Sequence, residues 1–143
     1  MNRTVRFIIL LSLVASLALV LHLAFAQPGR QALRYGSVIS LRPEKVEEYR
    51  RLHAKVWPGV IHSLRECHIR NYSIYCKEIE PGKYYLFSYF EYIGTDFTKD
   101  SAALAADPDI QTWWKLTDPC QIPVPLHKPG ENWSGMMEVF HME

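Results

Sequence analysis

The chain has 143 residues, 48% of them apolar, 22% charged and 13% aromatic, which is the composition of one globular domain with a core of its own. Its formal net charge is +1, and no Lys/Arg block is interleaved with aromatics, so charge gives no footing for nucleic acid or an anionic membrane as a partner.

The first 26 residues differ from the rest. Arg3 and Arg6 precede a nearly unbroken apolar run from Phe7 to Ala26, which closes on Ala24-Phe25-Ala26 and the breaker cluster Gln27-Pro28-Gly29. Charged flank, apolar stretch and A-x-A ending make the pattern of a secretory signal. We therefore expect residues 1–26 to be a signal peptide cleaved after Ala26, 27–32 a linker and 33–143 the folded domain, exported to the periplasm or secreted. The alternative is an anchor formed by residues 7–26, since a bilayer needs roughly 20 apolar residues. A membrane is a partner only if the leader stays uncleaved. Removing residues 1–26 takes away two arginines and no acid, which moves the formal charge from +1 to −1. His22 falls in this segment and carries no functional weight.

Leu33 to Leu41 reads as a first strand. Pro43 opens a helix where a missing N–H does no harm, and Glu44, Glu47 and Glu48 suit the positive end of its dipole. The helical pattern continues to about Glu66, with a kink or short break after Trp57 where Pro58-Gly59 interrupts it. Asn71 to Glu78 alternates as a strand, with Tyr72, Ile74 and Cys76 on one face and Ser73, Tyr75 and Lys77 on the other. Pro81-Gly82 turns the chain into a second strand, Tyr84 to Tyr92. Asp96 to Ala106 reads as helix, Asp107-Pro108 breaks it, and Ile110 to Leu116 resumes it. Pro119 to Asn132 holds several prolines and reads as an extended loop, and Gly135 to Met142 as the closing strand. The order β-α-β-β-α-β is ferredoxin-like, an α+β arrangement with an antiparallel sheet and both helices on one face. Its other face is left apolar, and two such faces packed together make a homodimer, a dimeric α/β barrel.

On the first helix, Tyr49, His53 and Trp57 form a column of residues four apart, beside Val46, Val56, Val60 and Leu64. His53 therefore points inward. One reading is a core histidine bonded to a tyrosine hydroxyl or a backbone carbonyl. The other is an imidazole at the floor of a pocket, placed for proton transfer. His62, His68, His127 and His141 have no such setting. Trp113 and Trp114 point about 100° apart on a helix, so they are either one core and one rim residue or a stacking platform for a pyranose. Tyr72 and Tyr75 face opposite sides of their strand, so a given pocket sees one of them.

Cys67, Cys76 and Cys120 read as small buried apolar groups; a disulfide between two of them would leave the third unpaired. The sequence has no CxxC pair, Cys/His zinc spacing, phosphate-binding glycine motif or nucleophile elbow. No cofactor and no metal are expected, and acid/base work by His and Tyr is what remains.

Taken together, Glu47-Glu48-Tyr49-Arg50-Arg51-Leu52-His53, Trp57-Pro58, Asn71-Tyr72-Ser73-Ile74-Tyr75, Trp113-Trp114-Lys115 and Glu138-Val139-Phe140 resemble L-rhamnose mutarotase in kind, order and spacing. The resemblance covers about residues 34–142. It implies a homodimer of ferredoxin-like subunits that interconverts the α and β anomers of L-rhamnose, or a related deoxy-sugar, without a cofactor. It places the catalytic histidine on His53 and the sugar-binding residues on Tyr49, Tyr72, Trp113 and Trp114. It also implies a cytoplasmic enzyme, against the export that the leader leads us to expect. Two alternatives stand beside it: a non-catalytic sugar-binding module of the cell envelope, and a ferredoxin-like monooxygenase or haem-handling protein.

Overall fold

The computed structural model describes residues 31–125 and 127–142. The expected signal peptide, residues 1–26, lies outside the described residues.

Strand β1 spans Leu33–Leu41, as its pattern predicts. A 3-10 turn at Pro43–Lys45 leads into α1, Val46–Ala54, and α2 follows at Pro58–Glu66. The break after Trp57 is thus complete, giving two helices rather than one kinked helix. Trp57 is extended, with φ −64° and ψ 140°, the conformation that a following proline imposes. Pro58 then occupies the first turn of α2, where no N–H is needed.

Strand β2, Ile69–Glu80, and strand β3, Lys83–Tyr92, form the expected hairpin. Gly82 turns the chain between them with φ 73°, a left-handed conformation that suits glycine. Helix α3, Phe97–Ala106, is capped by the Asp96 side chain, which accepts from the Lys99 N–H. Helix α4, Pro108–Thr117, is capped by Asp107, which accepts from the N–H groups of Asp109 and Ile110. A 3-10 turn at Asp118–Cys120, strand β4 at Gln121–Ile122 and strand β5 at Ser134–Met136 complete the order.

The strands run β2-β3-β1-β4, with β5 also paired to β1. This antiparallel sheet with helices packed against it is the α+β ferredoxin-like fold. The last strand differs from expectation. Strand β5 stops at Met136 instead of running from Gly135 to Met142, its pairing ending at Gly36, three residues short of the start of β1 at Leu33. The chain soon runs past the end of its partner. Arg34 still grips Glu138 through two hydrogen bonds of 2.7 and 3.0 Å, while Met137, Val139, Phe140 and Met142 stay exposed. Strand β4, unforeseen inside the proline-rich stretch, pairs with Ser40 and Leu41 further along β1.

A β-bulge sets which residues of β2 face the helices. The register passes from Arg70 opposite Glu91 to Ser73 opposite Tyr89, so β2 carries one extra residue there. Asn71 absorbs it with φ 49°, which asparagine tolerates better than most residues. Without this shift, alternation would put Ile69 and Ile74 on opposite faces. With it, both look toward the helices.

The core has two parts. Ile39, Leu41, Tyr49, Leu86 and Cys120 form one cluster, and Val60, Cys67, Ile69, Leu104, Ile110 and Trp113 the other. Ile39 and Leu86 are 0% and 1% exposed, and burying each contributes about 1.5–3 kcal/mol. The opposite sheet face carries Val38, Tyr85 and Phe87, set by their alternation with Ile39 and Leu86.

Candidate functional site

A cavity of about 630 Å³ opens between the sheet and the helices, bordered by members of both core clusters. Its size falls within the roughly 300–1,000 Å³ of small-molecule sites. All five residues singled out from the sequence line it: Tyr49 and His53 from α1, Tyr72 from β2, and Trp113 and Trp114 from α4. Tyr75, 64% exposed, lies on the other face, as the alternation of β2 requires.

Helix periodicity places His53 one turn after Tyr49, and the rings stack with centroids 4.1 Å apart and planes 24° from parallel. His53 Nδ1 lies 3.0 Å from the Tyr49 carbonyl oxygen. A carbonyl can only accept, so Nδ1 carries a proton and donates it there. Nε2 is thereby the atom left for the cavity: an acceptor when the ring is neutral, a donor when it is protonated. The two readings of His53 merge, since the carbonyl bond of a core histidine is what aims the other nitrogen. Burial lowers the pKa of His53 from its ordinary 6.5, partly countered by the bond to the Tyr49 backbone.

Trp113 packs edge-on against His53 and against Trp57, with centroids 5.3 Å apart in each case. It is 6% exposed, whereas Trp114 is 38% exposed, so the pair divides into one core and one rim ring, and both border the cavity. Tyr49 is 4% exposed, and its hydroxyl accepts from Gln121 Nε2 at 3.4 Å. Burial pushes its pKa well above the ordinary value. Tyr72 meets Phe90 edge-on at 5.6 Å; the residue is 44% exposed, and desolvation of its hydroxyl pushes the pKa up to about 12. Both tyrosines therefore stay protonated at neutral pH and offer hydrogen bonds rather than charge.

The sequence reading missed Cys76, Thr117, Asp118, Gln121 and Trp133, which also line the cavity. Gln121 and Trp133 border the proline-rich stretch, which has no periodicity to read. Asp118 did leave a signal, lying four residues after Trp114 and so on the same helix face. The cysteine expectation holds for Cys67 and Cys120, which are buried free thiols, and fails for Cys76, which is free and exposed. Cys76 faces the cavity because the bulge turns this part of β2 toward the helices. Among the described residues, no group of three His, Cys, Asp or Glu side chains could hold a metal ion.

Fold and site define a ferredoxin-like domain whose aromatic cavity is lined by one imidazole, that of His53. The sequence model of the L-rhamnose mutarotase family matches residues 34–142, and the chain belongs to that family, whose members are carbohydrate isomerases. The L-rhamnose mutarotase of Oceanobacillus iheyensis is 27% identical over 77% of this chain and 98% of its own length. That of Listeria monocytogenes is 30% identical over 76% of this chain and 97% of its own. A crystal structure of L-rhamnose mutarotase from Formosa agariphila, 22% identical, superposes with a TM-score of 0.57 over 78% of this chain and 99% of that one, a likeness of fold.

Family membership sets aside the monooxygenase and haem-handling alternative. It also corrects the expectation of export to periplasm or medium. The relatives are bacterial L-rhamnose mutarotases, the family for which the resemblance implies a cytoplasmic enzyme. The anchor alternative, residues 7–26, lies outside the described residues; among those described, no helix is long and apolar enough to cross a membrane. The expectation of export rested on residues 1–26, which lie outside the residues that match the family.

Proposed function

We propose that this protein interconverts the α and β anomers of L-rhamnose, or of a closely related deoxy-sugar, with His53 as a proton carrier. The observation that carries the reading is the meeting of His53 with Tyr49, Tyr72, Trp113 and Trp114 around one cavity of pyranose-binding size. Mutarotation opens the hemiacetal, turns the aldehyde about C1–C2 and closes it on the other face. Opening needs a proton delivered to the ring oxygen and one withdrawn from the anomeric hydroxyl. His53 Nε2 is the donor to the ring oxygen. Each positioned acid or base contributes roughly 10²- to 10⁴-fold. Tyr72 hydrogen-bonds a sugar hydroxyl, Tyr49 orients His53, and the exposed ring of Trp114 packs on the C–H face of the pyranose.

We also propose that the protein is a homodimer joined through the sheet face opposite the helices. Val38, Tyr85 and Phe87 on that face, and the exposed Met137, Val139, Phe140 and Met142 beyond β5, support it as apolar surface that a second copy covers.

Proton NMR saturation transfer between the anomeric signals of equilibrated L-rhamnose tests the activity, with L-fucose and D-glucose as comparison sugars. Exchange well above buffer on rhamnose is expected. Fast exchange confined to another sugar would replace the substrate and keep the chemistry. Binding without faster exchange would put a sugar-binding module in place of the enzyme.

A further inference from the structure

Ring opening moves two protons, and His53 accounts for one. The geometry points to Asp118 as the other proton carrier: its carboxylate takes the proton of the anomeric hydroxyl as His53 delivers one to the ring oxygen. This inference rests on the mutarotase reading of the cavity and assigns the half of the reaction left open there.

Among the described residues that line the cavity, Asp118 carries the one carboxyl group. The other groups there able to hold or release a proton are Tyr49, His53 and Arg50 from α1 and Tyr72 and Cys76 from β2. Both tyrosines are held protonated by burial, burial also raises the Cys76 thiol, and an arginine does not release its proton at neutral pH. That leaves the carboxylate as the base to complement the imidazole.

The local structure holds Asp118 firmly. Its N–H closes the last turn of α4 on the Trp114 carbonyl, and its own carbonyl accepts from the Gln121 N–H. The next two residues are tied to the start of the helical layer. Arg42 Nε donates to the Pro119 carbonyl at 3.1 Å and the Arg42 N–H to the Cys120 carbonyl at 2.9 Å. Three residues on, Gln121 reaches the Tyr49 hydroxyl, and Tyr49 in turn holds His53. One short polar path thus links the corner bearing Asp118 to the imidazole.

The carboxylate itself has no structural employment. Among the described residues no hydrogen bond and no charged partner shifts its titration. Asp118 is exposed beside the cavity, and partial desolvation raises its pKa. A carboxylate on a fixed corner beside a cavity, with no protein donor on it among the described residues, is placed to accept a hydroxyl proton.

The step balances. The anomeric O–H bond breaks toward Asp118 and the bond from C1 to the ring oxygen breaks. The C1 carbonyl forms and the ring oxygen takes the proton from His53 Nε2. Asp118 ends protonated and His53 neutral. Closure on the other face returns both protons. The working state holds one proton between the two groups, so the rate follows a bell-shaped pH profile whose apparent pKa values belong to the pair.

The test is saturation transfer with the whole protein and its Asp118→Asn and Asp118→Glu variants across pH. Asp118→Asn is expected to slow exchange by roughly 10²- to 10⁴-fold, to leave sugar binding within a few-fold, and to abolish the acid limb of the profile. Asp118→Glu is expected to recover part of the rate and to keep the limb. Wild-type exchange in Asp118→Asn, or an acid limb that persists in it, would overturn the assignment. Should Asp118→Asn fail to fold, the wild-type profile decides, since a rate with no acid limb would also overturn it. A wild-type protein that exchanges no sugar would overturn the mutarotase reading and this inference together. Fast wild-type exchange with an indifferent Asp118→Asn would overturn the inference alone.

Discussion

The two adjacent tryptophans make the sharpest contrast between fold and site. Trp113 is 6% exposed and belongs to the cluster with Val60, Ile69, Leu104 and Ile110, while also meeting His53 and Trp57 edge-on. Truncating a buried aromatic to alanine loses its transfer energy and leaves a cavity, about 3–5 kcal/mol together. For a domain of this size that lowers Tm by roughly 4–8 °C per kcal/mol, and it removes a large part of a total stability of about 5–15 kcal/mol. Trp114 is 38% exposed and is absent from both core clusters, so Trp114→Ala should cost about 1 kcal/mol or less. It should instead weaken L-rhamnose binding several-fold, because it removes the face on which the sugar packs. Urea denaturation midpoints give the first quantity and sugar titration monitored by tryptophan fluorescence the second. Trp113→Phe supplies a milder core variant if Trp113→Ala does not fold. Equal destabilisation by the two alanine substitutions, or unchanged sugar affinity in folded Trp114→Ala, would refute the division into core and platform.

Gly94→Ala should destabilise the protein by about 1–3 kcal/mol, visible as a lower urea midpoint. An added Cβ would clash with the Tyr92 hydroxyl oxygen and its ring carbon Cζ. Tyr92 cannot easily yield, being 1% exposed and bonded to Asp100 and to the Asp96 N–H. Burial holds His53 below 6.5, so on acidification the unfolded chain takes up the proton first. The stability this residue contributes above about pH 6.5 is therefore lost as pH falls through the folded value, and His53→Gln should flatten that part of a midpoint-against-pH plot. Cys76 is exposed and lines the cavity, whereas Cys67 and Cys120 are buried. Mass spectrometry after brief alkylation of the native protein should find the label on Cys76 first, and L-rhamnose should slow it.

Much of the fold was legible because its elements obey simple periods. Strand β1 follows its β-prone run from end to end, and the hairpin follows from alternation around Gly82. The inward column Tyr49, His53, Trp57 was legible for the same reason, since residues four apart share a helix face. Other features were hidden because they depend on what lies beside the chain. Strand β5 leaves β1 at Gly36, three residues short of the start of β1 at Leu33, and no local pattern around Met136 records that. The bulge at Asn71 reverses the facing of β2 relative to Ile69 through one unpaired residue, which alternation alone cannot register. Gln121 and Trp133 reach the cavity from irregular chain, where position is set by tertiary bonds such as those of Arg42 to Pro119 and Cys120. The pairing of His68 with Asp100 at 2.8 Å escaped notice for a similar reason, because those residues meet only when β2 and α3 come together.

The central claim is that the nitrogen of His53 facing the cavity carries protons to and from a bound sugar. Its most direct test is anomer exchange by L-rhamnose saturation transfer in wild type and His53→Ala, with near-ultraviolet circular dichroism and sugar binding measured on both. The account predicts fast exchange in the wild type and a loss of roughly 10²- to 10⁴-fold in a His53→Ala protein that stays folded and still binds rhamnose. Undiminished exchange in folded His53→Ala would contradict it.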